Sequence, residues 1–323
     1  MNNHSLYSFD RPCERSLRDC SSAKVAIMMC SYNGFSFLKE QLDSFDRQLH
    51  RNWDLYVSDD GSQDNTLELI NNWNCDRVKI FDGPRKGFSA NFLSLTCRED
   101  VNADYYAWSD QDDIWKQEKL QRALSFLQEV PPNVPALYCG RTELVSGAGQ
   151  HIGYSPKFSL APHFNNALVQ NIGGGNTMVF NQAARQLLQK AGEDVTVPSH
   201  DWWAYQLISG SGGVVLYDSE PMVLYRQHGD NLIGANSSWP ARLRRLRMIF
   251  KGRFYEWNGQ NIVALESMVS CLKDEHQMTL SRFKKLRGKS LFVRALGFFR
   301  LGLYRQTLMG NLGLVLAVLL RKI

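Results

Sequence analysis

Long apolar runs are missing from this chain of 323 residues. The longest, Leu308 to Leu320, has 13 residues and is interrupted by Asn311. A membrane-spanning helix needs about 20, so no segment is expected to cross a bilayer. Paired cysteines are missing too. The seven, Cys13, Cys20, Cys30, Cys75, Cys97, Cys139 and Cys271, form no C-x-x-C pair, and an odd number in a long chain reads as reduced thiols, not a disulfide scaffold. Residues 1–23 lack the apolar core of a signal peptide, since Arg11, Arg15 and Arg18 stand beside Glu14 and Asp19, and they read as a loose leader. Repeats and low-complexity tracts are absent. With 44% hydrophobic and 21% charged residues, disorder and collagen-like structure are excluded. Acidic residues are missing from one end only: none follows Glu275, so residues 240–323 net +13 and the first 239 net −8. The total of +5 describes neither part. An acidic body with a basic tail and no nucleic-acid motif disfavours nucleic acid as a partner.

What is there begins with alternation. Val25–Cys30 is a continuous apolar run of strand length, stopped by the turn cluster Ser31-Tyr32-Asn33-Gly34. Leu38, Leu42, Phe45 and Leu49 follow at helical spacing. Strands are expected again at Trp53–Ser58, Val78–Phe81 and Tyr105–Trp108, with helices marked by Leu67, Ile70 and Trp73 (capped by Asp64 or Asn65) and around Ala90–Leu95. Strand and helix in alternation predict a doubly wound, mostly parallel sheet with helices on both faces, whose ligands bind at the carboxyl ends of the strands. After Pro131-Pro132 the strands shorten, with candidates at Ala136–Cys139, Thr177–Phe180 and Val214–Tyr217 and helices at Gln182–Lys190 and Asp201–Ile208. From Pro240 the chain is basic and helical in character.

Two acidic clusters fall at such strand ends, and a third polar constellation precedes a helix. Asp59-Asp60-Gly61-Ser62 suits either a turn and helix cap or the acceptance of hydrogen bonds from a base or ribose. Asp110-Gln111-Asp112-Asp113 sets three carboxylates in four residues, an arrangement that repels itself unless a hard cation sits among them. Mg²⁺ commonly takes one or two protein carboxylates together with substrate phosphates. Ser199-His200-Asp201-Trp202-Trp203 puts a carboxylate among aromatic rings, where partial desolvation suits a general base, although a helix N-cap fits those residues equally well. His228 is a candidate second metal or phosphate contact, and Gly173-Gly174-Gly175-Asn176 permits close backbone approach to a ligand.

Taken in order across residues 24–232, these segments resemble the family-2 inverting glycosyltransferases of the GT-A fold. The resemblance implies that Ser31, Tyr32 and Asn33 line the nucleotide, that Asp59, Asp60 and Asp110 with Gln111 hold base and ribose, and that Lys86 and Asn91 line the donor site. It implies that Asp112, with His228, holds Mn²⁺ or Mg²⁺, that Asp201 is the catalytic base, and that Gly174, Gly175, Asn176 and Trp202 shape the acceptor side. His200 stands where the family has Glu. Ser109–Trp115 together with Tyr225-Arg226-Gln227-His228 is similar to the bacterial subgroup that builds O-antigen and other surface polysaccharides, often rhamnosyltransferase-like, with members using UDP-glucose or UDP-galactose.

The implied organisation is a leader at 1–23, a glycosyltransferase domain at 24–239 (nucleotide half 24–115, acceptor half 116–239) and a basic amphipathic helical region at 240–323. The implied partners are a nucleotide-sugar donor, an undecaprenyl-diphosphate-linked saccharide acceptor and the cytoplasmic face of the bacterial inner membrane, on which the enzyme would lie peripherally. Arg242, Arg244, Arg245, Arg247, Lys251 and Arg253 alternate with apolar residues, and Arg294, Phe298, Phe299, Arg300 and Leu301 repeat the theme, so such segments fit either an anionic lipid surface or a helix packed on the body. Two rival readings are a nucleotidyltransferase, disfavoured by the lack of Lys or Arg next to the first turn, and a binding scaffold without catalysis.

Overall fold

The computed structural model describes residues 22–73, 75–228 and 252–323. Residues 1–21 of the leader, Gly229–Asn231 and the arginine-rich run from Arg242 to Lys251 lie outside the described residues, as does the proposed boundary at 239/240.

The first half follows the expected alternation: β1 (Val25–Ser31), α1 (Phe35–Asp46), β2 (Trp53–Asp59), α2 (Thr66–Asn72), β3 (Val78–Asp82), α3 (Phe88–Cys97) and β4 (Tyr105–Ser109). β1 is buried along its whole length, and its period-2 geometry splits its side chains between two layers. Val25, Ile27 and Met29 join Leu38, Leu42 and Phe45 of α1 on one face. Ala26, Met28 and Cys30 join Phe92, Leu93 and Leu95 of α3 on the other. β1 pairs in parallel with β2 and β4, and β2 with β3, giving the order β3-β2-β1-β4. The chain thus winds outward from β1 and then reverses to β4, so the crevice between the carboxyl ends of β1 and β4 is the reversal point where ligands of such sheets bind.

The second half is more irregular than its sequence suggests. It comprises β5 (Ile114–Trp115), α4 (Lys119–Leu127), β6 (Ala136–Ser146), β7 (His151–Tyr154), α5 (Phe164–Ala167), β8 (Val179–Asn181), α6 (Gln182–Ala191), α7 (His200–Gly210) and β9 (Val214–Gln227). The sheet continues β4-β8-β6-β9-β5, mixed in direction: β8 runs antiparallel to β4 and β6, while β6 and β9 pair in parallel. β6 and β9 are much longer than expected, and they pair with each other over ten positions. The strand expected at Thr177 starts instead at Val179, since Gly175–Thr177 forms a 3₁₀ turn.

The basic region is not a loose appendage. α8 (Arg253–Ser267), α9 (Asp274–Arg287), α10 (Leu291–Arg300) and α11 (Leu308–Leu319) pack on the body. Leu265, Leu280, Phe283, Phe298 and Val318 share one apolar core with Trp203 and Leu207 of α7. Arg294 and Phe298 are buried, which matches, for these two residues, the reading of a helix packed on the body. The Arg294 guanidinium donates to the carbonyls of Val318 at 2.7 Å, Leu319 at 3.2 Å and Lys289 at 2.7 Å, closing the end of α11, whose last carbonyls have no partner within the helix. Cys30, Cys97, Cys139 and Cys271 are free thiols. No helix among the described residues is long and apolar enough to cross a membrane.

Candidate functional site

The turn after β1 and the loop after β4 face each other at the reversal point. Gln111 locks them together: its Oε1 accepts from Tyr32 N and its Nε2 donates to Tyr32 O, both at 2.9 Å. The Gln111 amide is therefore spent on backbone, which leaves the Tyr32 ring exposed at the crevice. Asn33 takes the left-handed conformation at φ 48°, which Asn tolerates because its short side chain bonds locally. Here its Oδ1 accepts from Gln63 N at 2.8 Å.

Asp59 and Asp60 are builders of the site before they are contacts in it. Asp59 accepts from Ser31 Oγ, Ser62 Oγ and the N–H groups of Gly61 and Ser62, at 2.6 to 3.0 Å. Asp60 accepts from Arg85 N at 2.6 Å and Gly87 N at 3.1 Å, holding the 85–87 loop against the sheet end. These bonds give both carboxylates a structural role in shaping the turn and the 85–87 loop. Lys86 reaches Asp194 at 3.4 Å in solvent. Asn91 is buried, donates to Ser58 O at 3.0 Å and keeps Oδ1 without a partner. Asp64, not Asn65, bonds the start of α2, accepting from Thr66 N at 3.1 Å.

Asp110, Asp112 and Asp113 present carboxylate oxygens within 4.8 Å of one another. Burial, with Asp112 and Asp201 adding like charge, pushes Asp110 up to about 7, and Lys119 opposes that rise. Burial likewise pushes Asp113 well up, despite the hydrogen bond Asn176 Nδ2 donates to its Oδ2 at 2.6 Å. Three hard oxygen donors held against their mutual repulsion fit a divalent cation of the Mg²⁺ or Mn²⁺ type. His228 Nε2 lies 2.7 Å from Asp112 Oδ2, so it orients that carboxylate.

Asp201 sits in the first turn of α7. Its Oδ2 accepts from Gly175 N at 3.1 Å and its Oδ1 from Trp202 N at 2.6 Å. The glycine-rich turn thus touches both acidic centres: Gly175 holds Asp201, and Asn176 holds Asp113. Trp202 faces inward, donating to Ala167 O at 2.7 Å and stacking on Phe254, so it braces α7 and has no polar group left for an acceptor. His200 lies behind the site, stacked on Phe92 at 4.0 Å with Trp108 edge-on at 4.7 Å. Burial lowers its pKa to about 4, and neither ring nitrogen has a partner. It is a neutral ring in an aromatic box.

Two residues were not singled out from the sequence. Arg226, fully buried, donates from Nε to Asp112 O at 3.1 Å, from NH1 to Gly147 O at 2.7 Å and from NH2 to Glu40 at 2.9 Å. Lys119, also buried, donates to Asn176 O at 2.8 Å with its Nζ 3.0 Å from the Trp115 ring centre, and burial pushes its pKa well down. Tyr225–His228 carried a hint of the first. For Lys119, facing the acidic cluster from the start of α4, only the tertiary fold supplies the signal.

Residues 26–188 match the family model described as glycosyl transferase family 2. The chain is 31% identical over 240 residues to the dTDP-rhamnosyl transferase RfbG of Shigella flexneri, covering 68% of this chain and 78% of that protein. It is 29% identical over 122 residues, 38% of this chain and 47% of the other, to the Escherichia coli UDP-Glc:alpha-D-GlcNAc-diphosphoundecaprenol beta-1,3-glucosyltransferase WfgD. Among solved structures, S. aureus TarS in complex with UDP-GlcNAc superposes with a TM-score of 0.52 at 15% identity, over 87% of this chain and 93% of that one.

Proposed function

The chain belongs to glycosyltransferase family 2 and is a glycosyltransferase of the GT-A type; from that premise we propose that it moves a hexose or deoxyhexose from a nucleotide sugar to a saccharide carried on a lipid diphosphate, during surface-polysaccharide synthesis, with inversion at the anomeric carbon. Among dTDP-rhamnose, UDP-glucose and UDP-galactose, dTDP-rhamnose is favoured as donor by the length of the match to a dTDP-rhamnosyl transferase. The lipid-linked acceptor is supported by the name of the second relative. A lipid-diphosphate acceptor would bring the enzyme to the cytoplasmic face of the inner membrane.

The observation that carries the reading is the single turn whose adjacent residues hold Asp201 and Asp113 at the crossover of the sheet. The Asp201 carboxylate lies outside the acidic cluster and, among the described residues, accepts from two backbone N–H groups. In the mechanism it accepts the proton of the acceptor hydroxyl as that oxygen bonds to the anomeric carbon, while the bond from that carbon to the nucleoside diphosphate breaks on the opposite face. Asp110 and Asp112, with Asp113 behind them, would hold a divalent ion, which when bound supplies charge to offset the departing diphosphate. Tyr32 and the backbone edges organised by Asp59, Asp60 and Gln111 line the nucleotide, and Lys86 and Asn91 stand on its donor-sugar side.

The test is transfer from a panel of nucleotide sugars to a lipid-diphosphate saccharide, with and without EDTA. The reading expects an inverted glycoside product, abolished by Asp201→Asn while donor binding persists. Pyrophosphate release without glycoside, or full turnover by Asp201→Asn, overturns it.

A further inference from the structure

α10 and α11 form a hairpin. The Arg294 side chain on the first half of α10 bonds the carbonyls at the end of α11, so the two helices run antiparallel. Each has one buried face, Arg294 and Phe298 on α10 and Leu314, Ala317 and Val318 on α11. Each also carries an exposed apolar stripe at i, i+4, i+7: Phe292, Leu296 and Phe299 on the first, Leu308, Leu312 and Val315 on the second. Phe292 is 83% exposed, Phe299 84% and Leu308 77%, unusual for side chains of this size in water.

We propose that this hairpin face is an interfacial seat for an anionic lipid bilayer, with the Phe292 and Leu308 stripes entering the headgroup boundary. Charge selects this occupant. No acidic residue follows Glu275, while Lys289, Arg300 and Arg321 are exposed at the ends of the two helices and Arg282 and Lys285 are exposed on α9. A uniformly anionic surface complements that rim. A second copy of the same face would oppose like charges. α11 has 12 residues, about 18 Å of helix, too short to span about 30 Å of hydrocarbon, so the hairpin lies in the interface and does not cross it.

The seat is wired to the catalytic helix. Asn165 donates to Leu301 O at 2.7 Å and Asn166 to Tyr304 O at 2.9 Å, tying the loop between α10 and α11 to α5. Tyr205 of α7 donates to Asn166 Oδ1 at 2.9 Å, and Trp202 and Gln206 of α7 both donate to Ala167 O. A surface that fixes the hairpin therefore fixes the height of Asp201 above it. The inference rests on the lipid-linked acceptor for its meaning, but binding to vesicles is measured with neither donor nor acceptor, so the two can fail separately.

The experiment is sedimentation of the full chain with phosphatidylglycerol-rich vesicles and with phosphatidylcholine vesicles, at low and high salt. The wild type is expected to pellet with the anionic vesicles and to do so less at high salt. Phe292→Ser with Phe299→Ser, and separately Leu308→Ser with Leu312→Ser, are expected to lower partitioning about tenfold or more with unchanged Tm. Lys289→Gln with Arg300→Gln, which keeps the apolar face intact, should weaken binding at low salt. Failure of the wild type to pellet, wild-type partitioning by these variants, or a dimer dissolved by the serine substitutions in a protein that ignores vesicles would overturn the proposal.

Discussion

Gly175 N–H donates to Asp201 Oδ2 at 3.1 Å, while a Cβ built on Gly175 would fall 2.3 Å from His200 Nε2. The ring cannot retreat, because Phe92 is stacked on it at 4.0 Å and Trp108 stands edge-on at 4.7 Å. Gly175→Ala must therefore push the turn outward and lengthen the bond that aims Asp201. The expected result is a loss of kcat of roughly a hundredfold, with about 1–3 kcal/mol of stability. Steady-state kinetics beside a urea melt checks it; wild-type kcat in the alanine variant would separate the turn from catalysis.

Arg226→Lys tests the support under the metal-binding loop. A guanidinium serves Asp112 O, Gly147 O and Glu40 from three nitrogens, and its plane lies 4.8 Å from the centre of the Phe37 ring. An ammonium keeps the charge and loses the fork. At least one buried carbonyl is then left without its donor, costing about 1–3 kcal/mol. The variant is expected to need more Mn²⁺ or Mg²⁺ for half-maximal transfer, with donor KM at saturating ion little changed. An unaltered metal titration would show that Asp112 is held by other means.

Much of this was readable before the fold was known, and the boundary of legibility has physical reasons. β1, β2 and β4 announce themselves because buried parallel strands are largely apolar runs, and the acidic clusters sit where β2 and β4 stop. Asp59 and Gln111 were legible as site residues, but their job was not. Whether a carboxylate or amide meets substrate or spends itself on backbone depends on donors 28 and 79 residues away. For Trp202, helical spacing cannot say which partner buries the ring, and its bond to Ala167 O and stacking on Phe254 come from the fold. Arg294 and Phe298 fit either a lipid-facing or a packed helix from sequence and are buried, while the neighbours at i+1 and i−2, Phe299 and Phe292, carry the exposed stripe. Lys119 carries no signal in the sequence because a lysine at the start of a helix is ordinary until the fold brings it beside Asp110 and Asp113.

His200→Leu tests the neutral ring. Its pKa in the folded chain is depressed from 6.5 to about 4 by burial. The folded state therefore holds fewer protons there than the unfolded chain does, so the stability is full above the unfolded pKa and drains as pH falls through 4. The difference is on the order of 3 kcal/mol. The leucine variant lacks this titration, so its stability relative to wild type is expected to rise by that order on acidification. Parallel wild-type and variant stability curves between about pH 7 and 4 would contradict the assignment.

Asp110 has the opposite sign, and it links protons to metal. Burial and the charges of Asp112 and Asp201 raise it from 3.8 to about 7, so without metal the folded chain holds a proton that the unfolded chain has released. That contribution is complete below 3.8 and is lost as pH rises through about 7. A divalent ion reverses the balance, because it needs the carboxylate and supplies the charge that burial withholds. Mn²⁺ or Mg²⁺ is therefore expected to raise Tm strongly at about pH 8 and little at about pH 5.5, where the ion must first displace the proton. Asp110→Asn imitates the protonated form. It should flatten the metal-free pH dependence and remove most of the increment in Tm at high pH. A thermal melt of both proteins across this range, with and without ion, measures each arm, and an increment independent of pH would mean that Asp110 is not a ligand.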